Sequence, residues 1–139
     1  MKKNKNLLVR ILLPAALVIG LLAIVLPARN RTRLEHQSKQ TLLTLQEALQ
    51  NFHVEDEAYP TKSPMSGTEL IQFLMDTKHL QTPPLNPATL RPYQLDSSEA
   101  DRIVYTTDEL AETYSLKAME LDSDETMFIV DSTEHQSLE

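Results

Sequence analysis

LEHQSKQTLLTLQEALQNFHVEDEAYP, residues 34–60, is the stretch whose reading decides the fold. Leu34, Ser38, Leu42, Leu45, Leu49 and Phe52 recur at steps of four, four, three, four and three, which places them on one face of a helix. Gln37, Lys39, Gln40, Gln46, Glu47 and Gln50 fall mostly elsewhere. The stripe is apolar only from Leu42 onward, so docking on a domain is expected from about Leu42. Two heptads are too few for a coiled-coil seam. The helix is expected to stop between His53 and Ala58, because the residue before a proline, here Tyr59 before Pro60, is biased away from helical backbone.

Upstream, Leu7–Leu26 is apolar apart from Arg10 and has the length of a membrane-crossing helix, about 30 Å. Arg10 sits one turn inside one end, where its side chain can reach back to head groups. Pro14 and Gly20 are tolerated in such helices. A cleavable leader fits less well: cleavage after Ala28 would put Leu26 where a small residue is needed. The expected layout is a basic segment over 1–6, a transmembrane helix over 7–27 and a domain over 28–139. Lys2, Lys3, Lys5 and Arg10 precede or enter the apolar run and Arg29, Arg31 and Arg33 follow it. Four basic side chains against three favour a cytoplasmic N-terminus. That implies a single-pass protein of the inner (cytoplasmic) membrane, with its domain periplasmic or extracellular and the lipid bilayer as a partner.

Downstream, Thr68–Leu74 begins a short helix with Leu70, Ile71 and Leu74 on one face, and Asp76–Leu80 ends it. Pro83, Pro84, Pro87 and Pro92 make Gln81–Tyr93 an extended connection. Ile103–Thr106, Thr113–Met119 and Met127–Val130 read as strands from their β-branched and aromatic residues and their alternation. Short acidic turns join them, so they are antiparallel neighbours. The expected fold class is α+β: a long N-terminal helix, membrane-spanning and then amphipathic, packed on a small three-stranded antiparallel sheet whose apolar face it covers.

Charge is divided along the chain. Residues 1–33 hold seven basic side chains and no acid, whereas all 20 acids lie beyond them, with six bases. An acidic domain repels phosphate backbones, which excludes nucleic acid as the expected partner. The chain has no cysteine, hence no disulfide, thiolate metal site or cysteine nucleophile. Gly20 and Gly67 are its only glycines, too few for a phosphate-binding loop. His36, His53, His79 and His135 are scattered, with no pair at helical metal-ligand spacing. No serine lies in a Gly-x-Ser-x-Gly context. No catalytic, cofactor-binding or metal residue is therefore assigned, and no enzyme activity is expected. Asp122, Asp124, Glu125 and Asp131 form the strongest carboxylate cluster, but a turn without glycine or ligand spacing reads more simply as a solvated acidic turn than as a calcium loop.

The order of parts resembles the type IV pilin-like proteins, and most closely the major pseudopilin of type II secretion systems. Gly20-Leu21-Leu22-Ala23-Ile24-Val25-Leu26-Pro27 is similar to the Gly-Ile-Leu-Ala…Pro stretch that ends the pilin membrane helix. Leu45–Phe52 followed by Asp56 and Tyr59-Pro60 resembles the family's Ala-Leu…Tyr…Asp…Tyr-Pro passage. Asn86-Pro87 with Pro92-Tyr93 sits where the family has its Asp-Pro…Asn-Pro-Tyr turn, and Tyr114-Ser115-Leu116 resembles its Tyr-Ser-Leu strand. The family's processing site, a glycine before a phenylalanine with a glutamate at the fifth mature position, has no counterpart. The first glycine here is Gly20, the first phenylalanine Phe52 and the first acid Glu35.

The resemblance implies a membrane-anchored structural subunit of a type II secretion or type IV pilus-like assembly. Its partners would be other pilin-like or secretion-system proteins, copies of itself included. An anchored extracytoplasmic calcium- or ligand-binding module is the alternative.

Overall fold

The computed structural model describes residues 31–95, 101–120 and 123–132. The chain divides into two compact units, Met1–Arg33 and Leu34–Glu139. The elements below belong to the second unit, apart from helical residues 31–33.

Residues 31–56 form helix α1. Its buried face is Ser38, Thr41, Leu42, Leu45, Gln46, Ala48, Leu49 and Phe52, so burial begins one turn earlier than the apolar stripe predicts. Ser38 and Thr41 extend that face because their small side chains admit close packing. Leu42, Leu45 and Leu49 are wholly inaccessible, and each such leucine contributes about 1.5–3 kcal/mol relative to exposure. The helix closes on Glu57, whose φ of 58° is left-handed and whose N–H donates to the His53 carbonyl at 2.9 Å.

Strand β1 (Met65–Ser66) leads directly into helix α2 (Gly67–Asp76). Ser66 caps α2: its hydroxyl accepts from Glu69 N–H, and the Glu69 carboxylate accepts from Ser66 N–H. Lys62 stands 2.6 Å from Glu69, and this contact together with the Ser66 bond holds the Glu69 carboxyl below its ordinary range. Asp101, far along the chain, accepts from Thr68 N–H at 2.6 Å and from Ile103 N–H at 3.1 Å, tying the first turn of α2 to the start of strand β2. At the other end Lys78 adopts φ 66°, and the amides of Lys78 and His79 close on the carbonyls of Met75 and Leu74.

Strands β2 (Ile103–Thr107), β3 (Tyr114–Met119) and β4 (Thr126–Asp131) follow. The sheet is antiparallel, in the order β1-β2-β3-β4. Ile103 and Tyr105, Tyr114, Leu116 and Ala118, and Val130 face the core with the α1 stripe, Met65 and the α2 residues Leu70, Ile71 and Leu74. Tyr59, Tyr105 and Tyr114 meet at the centre: ring centroids of Tyr59 and Tyr114 are 4.6 Å apart, those of Tyr105 and Tyr114 6.2 Å. The buried Tyr105 hydroxyl donates to the Pro60 carbonyl at 2.9 Å.

Two expectations are corrected. The sheet has four strands, not three. The extra strand is two residues long, too short to show alternation in sequence. Its pairing is made by contacts across the chain, Met65 with Tyr105 and Ser66 with Val104. Secondly, no helix among the described residues is long and apolar enough to cross a membrane. In α1, Arg31, Arg33, Glu35, Lys39, Glu47, Glu55 and Asp56 leave no stretch longer than seven residues free of Asp, Glu, Lys or Arg. This overturns the membrane-spanning helix in the expected fold, and the single-pass, inner-membrane placement with a cytoplasmic N-terminus that followed from it. The span assigned to 7–27 lies outside the described residues.

Glycine placement generates paired predictions of opposite sign. A Cβ at Gly67 would lie 2.7 Å from Asp101 Oδ1 and 2.8 Å from Ile103 Cβ. Gly67→Ala is therefore expected to lower the unfolding free energy by about 1–3 kcal/mol. Lys78→Gly, at an exposed left-handed position, is expected to raise it by about 0.5–1 kcal/mol. Urea midpoints at constant slope check both.

The tyrosine cluster predicts alkaline sensitivity. Burial raises the hydroxyl pKa of Tyr105 to about 12, and burial raises those of Tyr59 and Tyr114 as well. The native state holds protons that the unfolded chain releases near the ordinary value of 10. The stabilisation is thus complete below pH 10 and declines as pH rises toward the folded-state values. Tyrosinate absorbance should lag behind free tyrosine and rise together with loss of circular dichroism. Full ionisation of all tyrosines near pH 10 with the fold intact would contradict the buried cluster.

Candidate functional site

The proline-rich connection is ordered, and its order makes a groove. Leu85 and Pro92 form an isolated antiparallel bridge. Tyr93 N–H donates to the Pro84 carbonyl at 3.0 Å, Asn86 N–H to the Arg91 carbonyl at 2.7 Å, and Leu90 N–H to the Asn86 carbonyl at 2.7 Å. Asn86 is buried, and its Oδ1 accepts from Ala88 N–H at 2.9 Å. The turn is fastened to α1 by Thr41, whose hydroxyl donates to the Leu85 carbonyl at 2.7 Å. The prolines fix the approach of the loop, and Thr41 and Asn86 supply the polar partners that its buried backbone needs.

Between α1 and this loop lies an open groove of about 460 Å³, lined by Gln37, Gln40, Thr41, Leu43 and Thr44 on one side and Leu80, Gln81, Thr82, Pro84 and Leu85 on the other. Leu43 and Leu85 remain 46% and 39% exposed. The lining contains no titratable side chain. Apolar groups flanked by amides and hydroxyls suit contact with another protein surface, since they offer dispersion, desolvation and neutral hydrogen bonds but no acid, base or nucleophile.

A second depression, of about 280 Å³, is lined by Thr106, Thr107, Asp108, Thr113, Tyr114, Ser115, Asp131 and Ser132. Of its two carboxylates, Asp108 is committed to the β2–β3 turn: Oδ1 accepts from Glu112 N–H at 2.9 Å and Oδ2 from the Thr113 hydroxyl at 2.7 Å. The Thr113 bond is the main reason its carboxyl lies below the ordinary range.

The carboxylates singled out in the sequence do not assemble. Asp124 and Glu125 lie in the β3–β4 turn, and Asp131 lies at the far end of β4, roughly 20 Å along the strand. Asp122 is outside the described residues. Among the described residues no three His, Cys, Asp or Glu side chains gather as a metal site. Of the histidines, His36 is exposed, His53 lies against the Tyr59 ring at 4.5 Å, and His135 is outside the described residues. His79 packs edge-on to Phe52 at 5.1 Å, with Nε2 3.1 Å from a Glu55 carboxylate oxygen. That pair joins the ends of the two helices, a structural role that sequence spacing does not announce.

Sequence reasoning missed the groove because Leu43 lies off the apolar stripe of α1. The available signal was Leu43 itself, a large apolar residue on an otherwise polar face.

Comparison of the chain with protein-family models, with curated proteins and with solved structures finds no match. Nothing there supports the pseudopilin or secretion-system assignment, and the likeness to pilin-like proteins stands on the residues quoted for it.

Thr41→Val removes the bond that fastens the loop to α1 and keeps the side-chain shape. It is expected to cost about 1 kcal/mol. The amides of Asn86 and Tyr93 should exchange with solvent faster, while those of β2 and β3 change only with the global stability.

Proposed function

We propose that the protein is a non-catalytic structural subunit that works by association with other proteins, in the manner a pilin-like build implies. The observation that carries this reading is the groove between α1 and residues 80–85, where two partly exposed leucines stand among neutral amides and hydroxyls on a braced loop. A recess that sets exposed leucines among neutral hydrogen-bonding groups is suited to a protein contact surface. The order of parts along the chain, a long amphipathic helix, Tyr59-Pro60, a short helix, a proline-rich loop and an antiparallel sheet, supports the same reading.

A photoactivatable cross-linker placed at position 43 of the full chain, in its native host, tests it. Discrete protein adducts identified by mass spectrometry as pilin-like proteins or copies of this chain are expected, with none from the exposed control position Gln72. Equal adduct patterns at the two positions would overturn the reading. Leu43→Glu should abolish adduct formation from a cross-linker at position 85, with the fold unchanged because Leu43 is already half in solvent.

A further inference from the structure

His79 stands at the root of one wall of the groove, and its ring is nearly closed off from solvent. The side chain is 7% exposed and lies 5.1 Å from the Phe52 ring, which in turn packs at 5.3 Å on Phe73. Nε2 is 3.1 Å from a Glu55 carboxylate oxygen. Nδ1, on the other side of the ring, is buried and has no hydrogen-bond partner among the described residues.

The backbone makes this ring a lever on the groove. The amides of His79 and Leu80 both donate to the Leu74 carbonyl, at 2.8 and 3.0 Å, so the two residues belong to one closed helix end. Leu80, Gln81 and Thr82 then line the groove opposite Gln37, Gln40 and Thr44 of α1. The contacts of the His79 ring with Glu55 and Phe52 hold that helix end against α1.

The bonding pattern selects the protonation state that fits. A carboxylate oxygen accepts, so Nε2 carries the hydrogen of the neutral ring and Nδ1 is a bare acceptor. A second proton would turn Nδ1 into a buried donor with nothing to receive it. Leaving such a donor unsatisfied costs more than an exposed ion pair returns, and Glu55 is 73% exposed. The remaining charges near the ring act through solvent or are already bonded. Asp56 and Glu57, which follow Glu55, are exposed, as is Lys78, and Asp76 accepts from the Gln72 amide at 2.7 Å.

We infer that protonation of His79 releases residues 80–82 from α1, so that the groove is formed at neutral pH and loses one wall in acid. The inference rests on the reading of the groove as a contact surface and adds its regulation. The opened chain takes up the proton in water, whereas the closed contact resists it. The contact is therefore complete at neutral pH and weakens as pH falls below the ordinary histidine range.

Hydrogen exchange of the full-length protein tests it. Between about pH 7.5 and about pH 5.5 the protection of the His79 and Leu80 amides, corrected for intrinsic exchange, should fall about tenfold, with that of Tyr105 and Leu116 unchanged. His79→Phe keeps a ring beside Phe52 and leaves the exposed Glu55 to water, so its protection at residue 80 should not change over this range. Glu55→Gln, a surface change, keeps an acceptor for Nε2–H and removes the anion, so the loss in acid should persist. Unchanged or increased protection in acid, an equal loss across β2 and β3, or abolition of the effect by Glu55→Gln overturns the inference. The cross-linker at position 43, used in host extract at the same two pH values, separates the two readings. Adducts that form at neutral pH and fall in acid support both. Adducts that do not fall leave the groove reading standing and overturn its regulation. Adducts at neither pH overturn the groove reading, and the exchange result alone then decides whether His79 releases the wall.

Discussion

The structure depends on one constraint: the sheet has a single apolar face, and that face must be covered. Tyr105, Tyr114, Leu116, Ala118 and Val130 present it, and Leu42, Leu45, Leu49 and Phe52 of α1 close over it together with Leu70, Ile71 and Leu74 of α2. Neither partner is stable alone. A bare three- or four-stranded meander would leave its apolar face in water, and a helix with this many polar residues gains most of its stability from docking. The other features of the domain are ways of holding these surfaces in register.

Polar groups do much of that holding, and they do it over long sequence distances. Asp101 fixes the start of α2, Thr41 fixes the proline-rich loop, and the Tyr105 hydroxyl fixes the carbonyl of Pro60. Each satisfies backbone that would otherwise be buried without a partner, and the penalty for such a group exceeds the net gain from an ordinary hydrogen bond. Bracing of this kind explains how a loop with four prolines can form one wall of a groove. A loop without Thr41 and Asn86 would have no fixed surface to offer a partner.

Asp108 and Asp131 line one shallow depression, where both oxygens of Asp108 already accept hydrogen bonds from the β2–β3 turn. The groove between α1 and residues 80–85 is neutral. Its lining of amides, hydroxyls and leucines offers desolvation and neutral hydrogen bonds and holds no titratable group. The acidic balance of residues 34–139 makes two copies repel one another at long range.

The sequence by itself determined the elements whose signal is periodic. The α1 stripe follows from a 3.6-residue repeat, and β2, β3 and β4 follow from alternation and β-branched residues between acidic turns. Tyr59-Pro60 marked the end of α1 for a local steric reason. Only the tertiary structure decided the rest. A two-residue strand has no period, so β1 exists because Tyr105 and Val104 are there to pair with it. The partner of Asp101 is the first turn of a helix more than thirty residues earlier, which no local pattern specifies. The groove joins an off-stripe leucine to a distant loop, and the acidic residues that look like one cluster in sequence are drawn apart by the length of an extended strand. Periodicity reports which face of an element is buried; which elements share that burial is settled only when the chain closes on itself.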